Sequence, residues 1–169
     1  MRTLTILFIL LISPSLAWSQ SVEERFVGTW LLVRIETRSE TGEWDRAETR
    51  LGSHPVGMIS YDITGNMAVQ IMRPDRPLFF SRSGEGEAAT EDALVLTPAD
   101  KKAIAFDGYT AYFGTYAVRE KEAIVVHQRI GHLVPNRVSS TVERAFEFVD
   151  DTLVLGAAGG NRLVWKRAR

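Results

Sequence analysis

Cysteine is absent from the 169 residues, which excludes disulfides, thiolate metal sites and cysteine nucleophiles. Histidine is scarce: His54, His127 and His132 are the three, and no ordered His/Asp/Glu spacing accompanies them. No metal motif results, and neither a metal nor a cofactor is expected. Charge of one sign is not in excess, with 20 Lys and Arg against 21 Asp and Glu and a net charge of -1. A protein that grips phosphates would normally show a basic excess or stripe, so no nucleic-acid partner is expected. There is no G-x-S-x-G elbow, P-loop or dinucleotide fingerprint. The Gly-rich run Gly156–Gly160 lacks the strand, helix and acidic residue of a nucleotide site and reads as a hairpin turn. No apolar run reaches the roughly 20 residues a membrane-spanning helix needs, so no transmembrane segment is expected in the mature chain.

Apolar residues make up 45% and charged residues 24%, enough for a hydrophobic core and one domain. The first segment reads as separate from that domain. Arg2 gives a positive start, Leu4–Ile12 an apolar run, Ser13-Pro14-Ser15 a break, and Ala17-Trp18-Ser19 a small-residue cleavage site. That order is a secretory signal over 1–19. It predicts a mature domain over 20–169, located in the periplasm or secreted.

Helical signals are few. Val22–Val27 reads as a short helical lead-in. Thr97-Pro98-Ala99-Asp100 is a helix start, because Thr97 can cap and Pro98 suits the first helical position. That helix runs to about Phe106, and its stripe Ala99, Ala103 and Phe106 can seal against a sheet or close a barrel end. The rest reads as strand: Trp30–Arg38, Trp44–Arg50, Gly57–Tyr61, Met67–Met72, a brief Leu94–Leu96, Tyr109–Val118, Ala123–Ile130, Thr141–Val149, Thr152–Leu155 and Arg162–Lys166. The pair flanking Asp62–Asn66 is the clearest hairpin, with Met67, Val69 and Ile71 on one face and Gln70 on the other. Arg73–Asp92 reads as a long loop whose Phe79-Phe80 pair is either a lid or two residues tucked under a surface loop. Strands in adjacent hairpins, without βαβ alternation, predict an all-β antiparallel barrel of about eight to ten strands with one short helix. A two-sheet sandwich is the alternative.

Phe26-Val27-Gly28-Thr29-Trp30 resembles the G-x-W start of lipocalins. Pro55–Asp62, Gly65-Asn66-Met67 with Gln70, Ala111–Tyr116, Val126-His127, Pro135-Asn136 and Arg144 together resemble the bacterial and fungal lipocalin-like domain family. The resemblance spans about residues 24–167 and implies a small calycin-type β-barrel. Arg137-Val138-Ser139 departs from relatives, which tend to carry an aromatic and a glycine there. The resemblance implies that Trp30 packs across the closed end, that Gly28 turns the chain beneath it, and that Arg144, Arg162 or Arg167 lies over the indole.

Arg144 shares a face with Val142, Phe146 and Phe148, which should point inward. A guanidinium there is either an anchor for an acidic ligand or a structural cation. His127 lies on a strand apolar on both faces, so its direction is not readable. Inward, it is either a satisfied core histidine or a donor and proton carrier. Tyr112 and Tyr116 share a face with Gly114 between them, and Tyr61 and Gln70 read as facing each other. Tyr61, Gln70, Tyr112, Tyr116, His127 and Arg144 are therefore the candidate ligand-binding set, of the kind that gives an apolar cavity a few directed hydrogen bonds. The leading expectation is an exported binding protein for a small hydrophobic or amphipathic molecule, with an acidic group as an option. The alternatives are an isomerase or cyclase using His127 with Arg144 or a tyrosine, and a structural module with a filled barrel. Oligomeric state is not legible.

Overall fold

The computed structural model of the chain describes residues 21–79, 96–157 and 160–169. The segment 1–19 read as an export signal, Phe80 with most of the Arg73–Asp92 loop, and Leu94-Val95 lie outside the described residues. The elements run α1 (Val22–Phe26), β1 (Gly28–Arg38), β2 (Trp44–Arg46), β3 (Val56–Tyr61), β4 (Asn66–Met72), α2 (Pro98–Asp107), β5 (Tyr109–Arg119), β6 (Ile124–His132), β7 (Ser140–Val149), β8 (Thr152–Gly156) and β9 (Arg162–Arg167).

Each strand pairs antiparallel with its neighbour, and β1 pairs with both β3 and β9. The ring β1-β3-β4-β5-β6-β7-β8-β9 closes on itself as an eight-stranded barrel, which removes the free edges of an open sheet and excludes the sandwich. β2 stands outside the ring, holding only Glu36–Arg38 of β1. The sequence reading of a strand through Arg50 is therefore too long. Ala47 N–H still donates to the Ile35 carbonyl at 2.9 Å, but beyond it the chain leaves β1, and Ala47 and Leu51 are buried.

Closure needs strong local twist, and two irregularities supply it. One lies in β1 between Leu32 and Arg34, opposite β9. The other lies in β6 at Ile130, which is skipped between the partners of Phe113 and Gly114 of β5. Gly114 reads in the sequence as a gap between two tyrosines, but its role is different. A Cβ there would sit 1.9 Å from the Gln128 carbonyl oxygen, so glycine lets the backbone of β6 approach at the bulge.

Alternation sets the core. Ile59 and Tyr61 of β3, Met67, Val69 and Ile71 of β4, and Leu153 and Leu155 of β8 are buried. Along β7, Val142, Arg144, Phe146 and Phe148 are half-buried while the residues between them are exposed. Period two on a curved sheet produces this division of inside from outside.

The two helices have unequal roles. α1 is short but fixed by a capping box: Ser21 Oγ accepts from Glu24 N–H at 3.1 Å and Glu24 Oε2 from Ser21 N–H at 2.9 Å. It delivers Phe26, fully buried, into one end of the barrel. α2 starts where the sequence predicts, with Thr97 capping Asp100 N–H at 3.2 Å. It buries no residue, however, and Ala99, Ala103 and Phe106 are exposed. The expected sealing stripe is not used, and the barrel end is closed by α1. Among the described residues no helix is long and apolar enough to cross a membrane.

Candidate functional site

The closed end is built first. Trp30 is buried, and its Nε1–H donates to the Phe26 carbonyl at 2.8 Å. The Arg167 guanidinium lies 4.2 Å from the indole centroid. It also donates to the Val27 and Arg25 carbonyls at 2.7 and 2.6 Å. One cation thus stacks on the ring and satisfies two carbonyls of the lead-in. Of the three arginines weighed for this place, Arg167 holds it. Arg162 instead pairs with Glu36 at 2.5 Å and lies 4.0 Å over Trp44 on the outer wall. Gly28 sits at φ 127°, and a Cβ there would meet Arg167 Nη1 at 2.8 Å. The positive φ requires glycine, and the missing Cβ leaves room for the Arg167 guanidinium.

Further into the barrel lies a polar cluster. His127 faces inward and is fully buried. The register that pairs Tyr116 with His127 fixes that direction, which the sequence does not show. Tyr61 Oη lies 2.9 Å from His127 Nε2, and Tyr112 Oη lies 3.0 Å from His127 Nδ1. Burial, then the charges of Arg144 and Arg129, push the imidazole pKa from 6.5 down to about 3. His127 is therefore neutral at physiological pH. Burial also raises the Tyr61 phenol well above its ordinary value, so Tyr61 stays protonated.

A neutral imidazole carries one hydrogen and one lone pair. It accepts from one tyrosine and donates to the other. The tyrosine that accepts keeps its own hydroxyl hydrogen, and no other partner for either hydroxyl exists among the described residues. Whichever tautomer forms, one phenolic donor is left over.

Arg144 lies within electrostatic reach of both Tyr61 and His127. Its Nη1 donates to the Gly156 carbonyl at 2.8 Å. It is not the cation over Trp30, and the described residues give it no acidic partner. Arg129, two residues beyond His127 on the same face, joins the cluster. Its guanidinium lies 5.9 Å from the Tyr112 ring, and its buried Nε has no acceptor among the described residues. The sequence reading does not single out Arg129. The signal was the i+2 spacing from His127, which goes unread while the inward face of β6 is unknown.

Two other candidates stand apart from the cluster. The Tyr116 hydroxyl donates to the Asp62 carbonyl at 2.9 Å, beside the β3–β4 turn. Tyr116 faces inward but serves the closed end. Gln70 faces outward, opposite Met58, and its Oε1 accepts from Tyr109 Oη at 2.9 Å. It does not face Tyr61, whose partner across the ladder is Met67. His132 stacks on Tyr112 with centroids 5.5 Å apart and accepts from Val134 N–H at 2.8 Å. His54 contacts Ser53 at 2.9 Å. Among the described residues no three His, Asp or Glu side chains converge to hold a metal. On the outer wall, a groove of about 760 Å³ runs over Thr29, Ser60, Ala68 and Phe113.

These features define a calycin-type barrel: a closed antiparallel sheet of eight strands, capable of enclosing a small ligand, with polar groups set into an apolar interior. The chain belongs to the lipocalin-like domain family, which matches residues 27–168. No curated protein matches it. A solved structure of an uncharacterized protein from Bacteroides eggerthii DSM 20697 is similar at 10% identity, over 85% of this chain and 99% of that one, with a TM-score of 0.43.

Proposed function

We propose that this is an exported binding protein, periplasmic or secreted, that holds a small, largely apolar molecule inside the barrel. The observation that carries the reading is the neutral His127 bracketed by Tyr61 and Tyr112, with one phenolic hydrogen unused, in a wall otherwise lined by residues such as Ile59, Val69 and Leu155. Small-molecule sites combine an apolar lining with a few directed polar groups in this way. The sequence order of positive start, apolar run and small-residue cleavage site supports export.

The site gives less support to the catalytic alternative. An imidazole with a pKa near 3 is a weak base at neutral pH.

Purified protein should bind the neutral fluorescent probe N-phenyl-1-naphthylamine with saturable enhancement. The variant Val142→Trp, which fills the interior from β7, should lose at least ten-fold in affinity while keeping its circular dichroism. Unchanged affinity in that variant would place the probe in the outer groove and overturn the reading.

A further inference from the structure

We infer that the ligand carries a carboxylate head on its apolar body, and that Arg144, Arg129 and the unpaired tyrosine hydroxyl receive that head. The inference rests on the interior-binding reading above and deepens it.

The cluster is rich in donors and poor in acceptors. Tyr61, Tyr112 and neutral His127 bring three hydrogens to two bonds. Arg144 uses one nitrogen on the Gly156 carbonyl. Arg129 has no hydrogen-bond acceptor among the described residues, and its Nε is buried. An alcohol accepts up to two hydrogen bonds but brings a donor of its own, so it lowers the surplus by one at most. A carboxylate brings two oxygens and only acceptors.

Charge points the same way. Burial, Arg144 and Arg129 are the causes acting on His127, and none is a carboxylate. Burial disfavours the Arg129 charge, and the charges of Arg137 and then Arg144 do so as well. Two guanidiniums in one partly dehydrated site, with no counter-ion among the described residues, raise the energy of the empty barrel. An entering anion offsets both at once. The planar guanidinium fork suits a planar carboxylate in particular. The walls around the cluster are aliphatic, with Val69, Ile71 and Leu155 buried along β4 and β8, so the rest of the ligand is apolar.

The test is displacement of N-phenyl-1-naphthylamine at neutral pH by decanoate, decanol and decyltrimethylammonium, which share one chain and differ in head. Decanoate should compete at least ten-fold better than decanol, and the ammonium least well. In Arg129→Met and Arg144→Met, decanoate should weaken at least five-fold while decanol stays within two-fold. The double variant Tyr61→Phe/Tyr112→Phe removes both hydroxyls without touching charge and should weaken decanoate at least five-fold relative to decanol, so the inference remains testable if an arginine variant does not fold; an unchanged ratio in that folded variant would overturn it. Equal competition by decanoate and decanol in the wild-type protein would overturn the carboxylate inference and leave the interior-binding reading intact. Unchanged decanoate affinity in folded arginine variants would also overturn it. No binding of the probe at all would instead remove the interior-binding reading, and this inference with it.

Discussion

Truncating Phe26 to alanine is expected to cost about 4 kcal/mol of folding free energy, the usual range for a fully buried aromatic. The ring is 0% exposed and sits at the hub of the closed end. It meets Tyr61 at 5.2 Å, Phe146 at 5.0 Å and Phe148 at 5.0 Å, each nearly edge-on. Edge-to-face pairs add to area burial, so several favourable contacts vanish with one side chain. The loss also reaches Trp30, which donates to the Phe26 carbonyl and depends on α1 staying docked. Ile63→Ala is the matched control. Ile63 is 82% exposed in the β3–β4 turn, and its loss should change stability by about 0.5 kcal/mol or less. Urea unfolding of both variants measures the contrast. A cost for Phe26→Ala below about 1 kcal/mol would mean that α1 does not plug the barrel.

The second large effect is acid sensitivity centred on His127. Its pKa is about 3 in the folded protein against an ordinary value of 6.5. Between those values the unfolded chain binds a proton there and the folded chain does not. Stability then rises with pH across the window. The contribution is fully present above about pH 6.5 and is lost as pH falls toward about 3. From pH 7 to pH 5 the loss should be about 2 kcal/mol, taking about 1.4 kcal/mol per unit below the unfolded value. Titrating carboxylates and His132 are common to both proteins, so the comparison is with His127→Gln. The wild-type protein should lose about 2 kcal/mol more than the variant over that interval. Parallel stability curves, or an imidazole resonance of His127 titrating near pH 6.5, would show that the ring is not held neutral by its surroundings.

The parts of this fold that read most easily in the sequence are those decided locally. The β3–β4 hairpin is one. Asp62 Oδ1 accepts from Thr64 N–H at 2.8 Å and Asn66 N–H at 2.9 Å, a turn chemistry that sequence alone announces. β7 is another, because strict alternation separates its two faces. Gln70 could have been placed correctly by the same rule, since it lies between inward Val69 and Ile71. Facing Tyr61 is incompatible with that parity.

What sequence could not supply was register between strands. β6 is apolar on both faces, so the inward turn of His127 and Arg129 emerges only from pairing with β5. Tyr112 and Tyr116 share a face as expected. Yet strand tilt places one against His127 and the other against the Asp62 carbonyl at the closed end. The neighbours of Arg144 on β7 point it inward, but its partner on the Gly156 carbonyl depends on how β7 and β8 lie side by side. Arg167 took the place over Trp30 because β9 pairs Arg167 with Trp30 across β1. That choice among three arginines is again a matter of register.

The most direct measurement is a crystal structure of the protein grown with decanoate. The account predicts chain density inside the barrel, running along Val69 and Leu155, with carboxylate oxygens within hydrogen-bond distance of Arg144 or Arg129 and one of the two tyrosine hydroxyls. An interior packed solid by side chains, with decanoate seated on the outer wall over Ser60, Ala68 and Phe113, would contradict it.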